Sequence, residues 1–111
     1  MANIKEWLIA VEQKFGEPIE AIVVGKHDDR TYHGKAFADE NIILSRQDGL
    51  AKLDAEYDNG YGGADCFPMY AWTASRVFFI REYDGSTGIS SVPRAPVACE
   101  PEFDGNSPAF M

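Results

Sequence analysis

The stretch "VFFIREYDGSTGISSVPRAP", Val77 to Pro96, decides the fold. An apolar run ends at Asp84-Gly85 and a second β-prone run begins directly after it. Asp-Gly between two such runs is the strongest short-range hairpin signal, because a type I′ turn needs positive φ at both central positions. A two-residue turn predicts Ile80 opposite Ile89 and Phe78 opposite Ser91 on one face. The other face then pairs Val77 with Val92, Phe79 with Ser90, and Arg81 with Gly88, a neighbour small enough for a long side chain. Apolar residues on both faces of residues 77–80 predict a strand buried on both sides near its middle.

The same stretch fails as a catalytic or phosphate-holding loop. A P-loop needs a longer glycine spacing closed by Gly-Lys-Ser/Thr, and this loop has no lysine. A nucleophile elbow needs Gly-x-Ser-x-Gly, which Gly85-Ser86-Thr87-Gly88 does not match. "PRAP", Pro93 to Pro96, satisfies PxxP with Arg94 as a basic contact, but here it reads as the end of the strand.

Upstream of the hairpin, "MYAWTASRVFFIREY" splits into two β-like runs around Thr73-Ala74-Ser75. Nearer the beginning, Ile4, Leu8, Val11 and Phe15 recur at helical spacing, with Trp7 widening the stripe. Asn3 and Glu6 fit the start of that helix, and Gly16 with Pro18 its end, so the pattern predicts a helix over 4–15. "IEAIVVGKH" reads as a strand terminated by His27-Asp28-Asp29. A short strand is expected at 42–44. Ser45 and Asp48 then open a second helix running to about Tyr57, against which Gly49 counts. Pro93, Pro96, Pro101 and Pro108 defeat both helix and central strand. The expected architecture is α+β: two helices packed on one face of a small, mostly antiparallel sheet, in the order α-β-α-β-β-β. One domain over 1–97 is followed by a Pro-rich tail over 98–111, expected to be extended or partly disordered.

Length and composition agree with this. The 111 residues are 45% hydrophobic, enough for one core without disulfide or metal staples. Ten basic against 18 acidic residues give a net charge of −8, which argues against nucleic-acid phosphates or anionic lipid as partners and is compatible with a basic protein. Lys5, Glu6 and Glu12 interrupt any apolar run near the beginning, so a signal-peptide core or membrane span is not expected there. Cys66 and Cys99 form no metal-type spacing, and reduced cytoplasmic thiols are the default expectation.

Three regions carry candidate site residues. "DAEYDNGYGGAD", Asp54 to Asp65, resembles a calcium-binding EF-hand loop in placing Asp54, Glu56 and Asp58 at alternating positions and Asp65 at the last. It departs from that pattern at Asn59, which stands where the turn glycine belongs, with Gly60 one residue late. The final ligand is Asp rather than Glu, and no second helix follows. "HDDRTYH", His27 to His33, gathers His27, Asp28 and His33 as donors for zinc or manganese, at a spacing that matches no known ligand geometry. Solvated turns explain both stretches, so no cofactor is expected. The third region overlaps the first: Tyr57, Asp58, Asn59, Tyr61 and Asp65 join aromatic contact area and carboxylates on a Gly-rich backbone, a composition suited to recognition.

For an enzyme, the candidate acid/base groups are His27, His33, Glu82 and Asp84, and the candidate nucleophiles Cys66, Ser86 and Thr87. No spacing brings a base beside a nucleophile. The leading expectation is therefore a small acidic, non-catalytic protein-binding domain of the inhibitor or immunity type, with a basic partner. The rival is a small-molecule or metal-dependent enzyme using His27–His33 or Asp54–Asp65. A deep pocket with converging His or Cys separates the rival from the leader.

Overall fold

The chain runs β1 (Ala2–Asn3), α1 (Ile4–Phe15), β2 (Ala21–Val24), β3 (Ile43–Leu44), α2 (Arg46–Lys52), β4 (Glu56–Tyr57), β5 (Met69–Trp72), β6 (Arg76–Tyr83), β7 (Ser86–Pro93) and β8 (Asn106–Phe110). The structure, a computed structural model, describes residues 2–26, 39–57, 66–83 and 86–110. Six strands form one antiparallel sheet in the order β3-β2-β5-β6-β7-β8, and β1 pairs with β4 as a separate two-stranded ribbon.

The hairpin has the register that Asp84-Gly85 dictates. Ile80 faces Ile89, Phe78 faces Ser91, Phe79 faces Ser90, Val77 faces Val92 and Arg81 faces Gly88. Pairing continues to Tyr83 and Ser86, leaving two residues for the turn, which lies outside the described residues.

Helix α1 has the expected bounds for the expected reasons. The Asn3 side chain accepts from the Glu6 N–H at 3.1 Å, and Gly16 ends the helix in the left-handed region at φ 68°. Its stripe of Ile4, Leu8 and Val11 is buried, and the Phe15 ring meets Phe78 edge-on at 5.5 Å. Helix α2 starts where Ser45 accepts from the Asp48 N–H, but it stops at Lys52 rather than near Tyr57. The reason is tertiary. Leu53 turns into the core, and Asp54 accepts a hydrogen bond from Asn3 Nδ2 at 3.0 Å, so the chain is drawn to the start of α1 and pairs with β1 as β4.

Both helices lie on the face of the sheet carrying Leu44, Ile22, Val24, Ala71, Met69, Phe78 and Ile89, all buried in the core. Gly49 sets the spacing of α2, since a Cβ there would stand 2.5 Å from the Ile22 Cβ. The first long strand is shorter than the span 19–27, because the Ile19 N–H is taken by Glu12 Oε2 at 2.7 Å instead of by a neighbouring strand. At the far edge, β8 lies along β7 with Asn106 opposite Ser91 and Phe110 opposite Ile89, and the register shifts between them. Pro108 is tolerated because an edge strand has a side without ladder hydrogen bonds. The expectation that residues 77–80 are buried on both sides is corrected. Phe78 is 1% exposed on the helix side, whereas Val77 and Phe79 are only half-buried on the other.

Candidate functional site

That second face is the feature the fold leaves most open. Residues directly opposite one another share a face, so its composition follows from the register. One row runs Ile43, Val23, Tyr70, Phe79; the next runs Ala21, Trp72, Val77, Val92; and beyond Phe79 the half-buried Arg81 faces Gly88. Ile43 is 77% exposed, Tyr70 57% and Val92 40%, and the remainder of the two rows is half-buried. Tyr70 and Trp72 meet edge-on with centroids 6.1 Å apart, so the two rings pack against each other on this surface. A contiguous apolar surface of this kind marks an interaction site more often than a solvated wall.

A cleft of about 370 Å³ opens at one end of this face, lined by Val23, Gly25, Asn41, Pro68, Tyr70 and Phe79 among others. No His, Cys or carboxylate is among its described lining residues, so it offers contact and a few hydrogen bonds rather than proton transfer.

The C-terminal segment packs on this face across Phe79 and Ser90. Gly105, at φ 79°, packs so tightly that a Cβ would stand 2.8 Å from Phe79 Cζ and 2.7 Å from Ser90 Oγ. Ser90 donates to the Asn106 carbonyl at 3.4 Å and is buried beneath the segment. Arg76 fastens the same junction from the helix side, donating to Ser91 Oγ at 2.7 Å and to Asn106 Oδ1 at 3.4 Å. Asn106 in turn donates to the Glu100 carbonyl at 2.9 Å. Glu100, Glu102 and Asp104 are exposed on this strap, and the Phe103 side chain stands fully in solvent.

The residues singled out from the sequence are distributed otherwise. Asp58, Asn59, Tyr61 and Asp65, and likewise His27, Asp28 and His33, lie outside the described residues. The Tyr57 backbone pairs with Ala2 in β4, beside Glu56, which is exposed opposite Asn3. Asp54 is occupied by Asn3 and, at 3.5 Å, by Lys5; the hydrogen bond from Asn3 and the Lys5 charge hold its carboxyl below the usual range. Among the described residues, no three His, Cys, Asp or Glu side chains gather where a metal ion could sit. Cys66 is buried, Cys99 is exposed, and no disulfide joins them. Thr87 is buried and Glu82 exposed.

Two further polar clusters resemble chemistry and are structural. Glu17 accepts from Thr73 Oγ1 at 2.7 Å and from Ser75 Oγ at 2.7 Å, tying the end of α1 to the β5–β6 turn. These hydroxyl donors, Ser75 first, hold the Glu17 carboxyl below its ordinary range. A carboxylate so stabilised is a weaker base, the opposite of what activating a hydroxyl requires. Glu12 receives the Arg46 guanidinium at 2.6 and 2.7 Å and the Ile19 N–H, which joins α1, α2 and the start of β2. Arg46 is the main cause of its lowered pKa.

No separate signal in the sequence marks the open face. Tyr70, Trp72, Val77 and Phe79 alternate with Ala71 and Phe78, a pattern that also describes a strand covered on both sides. Compared with known protein families, with curated proteins and with solved structures, the chain matches none of them.

Proposed function

We propose that the chain is a small, non-catalytic protein-binding domain that takes a basic partner. The observation that carries this reading is the open sheet face, on which Tyr70 and Trp72 present paired aromatic area of the kind that anchors protein interfaces. The net charge of −8 supports the sign of the partner, through long-range attraction during encounter. The reading includes a cytoplasmic setting, because two thiols left unjoined suit a reducing compartment. No described helix is long and apolar enough to cross a membrane.

The test begins with capture of partners from native extract. Each captured protein is then purified and recombined with this chain in analytical ultracentrifugation. A stoichiometric complex with a basic protein, loosened by salt, is the expected result. The reading fails if purified proteins give no complex while calcium or zinc raises Tm. A site specific to the native state adds about 2.7 kcal/mol at a hundredfold excess over its dissociation constant, a shift that calorimetry detects readily. Such a shift would return the role to the metal-dependent alternative at His27–His33 or Asp54–Asp65.

A further inference from the structure

Resting on the protein-binding reading, we infer that the partner docks on the sheet face opposite the helices, through an apolar strip bordered by lysine or arginine. Two independent features select that chemistry. The face is apolar through its centre: Tyr70 and Trp72 on β5 and Val92 on β7 stand outward with Val77 and Phe79 of β6 between them, and Arg81 lies beyond Phe79 at its margin. Desolvating it favours a partner with matching apolar area, and the rigid rings lose little entropy on contact. The border is acidic: the strap bearing Glu100, Glu102 and Asp104 is held against Phe79 and Ser90 of the same face by Gly105.

The strap is ordered by its own bonds. The Gly105 N–H reaches the Glu102 carbonyl at 3.3 Å, and Asn106 closes back on Glu100 at 2.9 Å. Its three carboxylates are therefore presented from a defined edge, and none of them is engaged in a described ion pair. An acidic peptide or an anionic lipid surface meets repulsion at this edge. A strip of alternating Leu and Lys meets apolar contact and opposite charge together. The sheet face supplies affinity and the strap supplies orientation.

Three synthetic peptides of equal length test this on the whole chain: alternating Leu/Lys, Leu/Glu and Ser/Lys. Backbone amide and Trp72 indole shifts are followed by NMR during titration. The Leu/Lys peptide should shift Val23, Tyr70, Trp72 and Phe79 resonances and bind at least about tenfold more tightly than either other peptide. Tyr70→Ser should weaken it by about tenfold, and Val92→Ser, at a second exposed position, should weaken it in the same direction. The combined change Glu100→Gln, Glu102→Gln and Asp104→Asn should flatten its dependence on salt. Equal binding of Ser/Lys, or shifts confined to another surface, overturns the inference. So does a dimer of the free chain dissolved by Tyr70→Ser, or binding to phosphatidylcholine vesicles that Tyr70→Ser abolishes, since a second copy or lipid then covers the face. A native basic partner indifferent to Tyr70→Ser would remove this docking surface while leaving the protein-binding function intact.

Discussion

Gly49 shows how one residue reverses the expectation from local preference. In an exposed helix, replacing glycine by alanine stabilises by about 1 kcal/mol. Here the new Cβ would fall 2.5 Å from Ile22, itself fully buried on the helix-covered face of β2. Gly49→Ala should therefore lower stability by about 1–3 kcal/mol through overpacking, read as a shift in the urea midpoint; an unchanged or raised midpoint would mean that α2 is free to move. The ionised carboxylates make a second claim at this scale. Glu12, Glu17 and Asp54 have folded-state pKa values below their ordinary ones, so the unfolded chain binds protons first as pH falls. Their stabilising contribution is complete above the ordinary values of 4.5 for Glu and 3.8 for Asp, and is lost as pH drops through the lowered ones. Tm should hold from neutral to about pH 5 and fall below it. Glu12→Gln should cost about 1–2 kcal/mol at neutral pH, after allowance for solvent screening, and leave a shallower acid limb. An acid limb identical to that of the parent chain would show that Glu12 is not paired in solution.

At the scale of elements, legibility depended on whether the deciding interaction was local. Helix α1 was readable to the residue because Asn3, the 4-8-11-15 stripe and Gly16 all act within one turn of the positions they control. The hairpin register followed from two residues, since a turn of fixed length leaves no freedom in which strand positions face each other. The end of α2 was not readable, because Asp54 is drawn to Asn3, a contact 51 positions apart. The strap and β8 were masked by their prolines, which exclude a central strand and permit an edge. The open face was hidden for a related reason: alternation reports that a side chain is apolar, not whether a second layer covers it. The hairpin remains testable directly. If Asp84-Gly85 forms the type I′ turn expected from the sequence, Gly85→Val should destabilise by about 1 kcal/mol or more, because a β-branched residue resists positive φ, whereas Ser86→Ala should be nearly silent. Folded Ser86→Ala protein that lost function would reopen the catalytic reading of the loop.

For the whole molecule, the arrangement divides labour between two faces. Helices α1 and α2 close one side of the sheet over Leu8, Val11, Ile22 and Phe78, and the Glu12–Arg46 ion pair joins the two helices. The opposite side carries the aromatic rows and the acidic strap, and the net charge of −8 extends its influence beyond contact distance. In the proposed binding, attraction of this origin would act on encounter and the rings on residence, so the two contributions would separate in kinetics. The most direct measurement is the association and dissociation rate of the native partner, once isolated, from about 10 mM to about 150 mM salt, over which the Debye length shrinks from about 30 Å to about 8 Å. With the parent chain, the association rate should fall steeply across that range while dissociation changes little; with Tyr70→Ser, dissociation should quicken at every salt concentration. An association rate indifferent to salt, together with a dissociation rate indifferent to Tyr70→Ser, would contradict both the acidic steering and the open sheet face as the place where the partner binds.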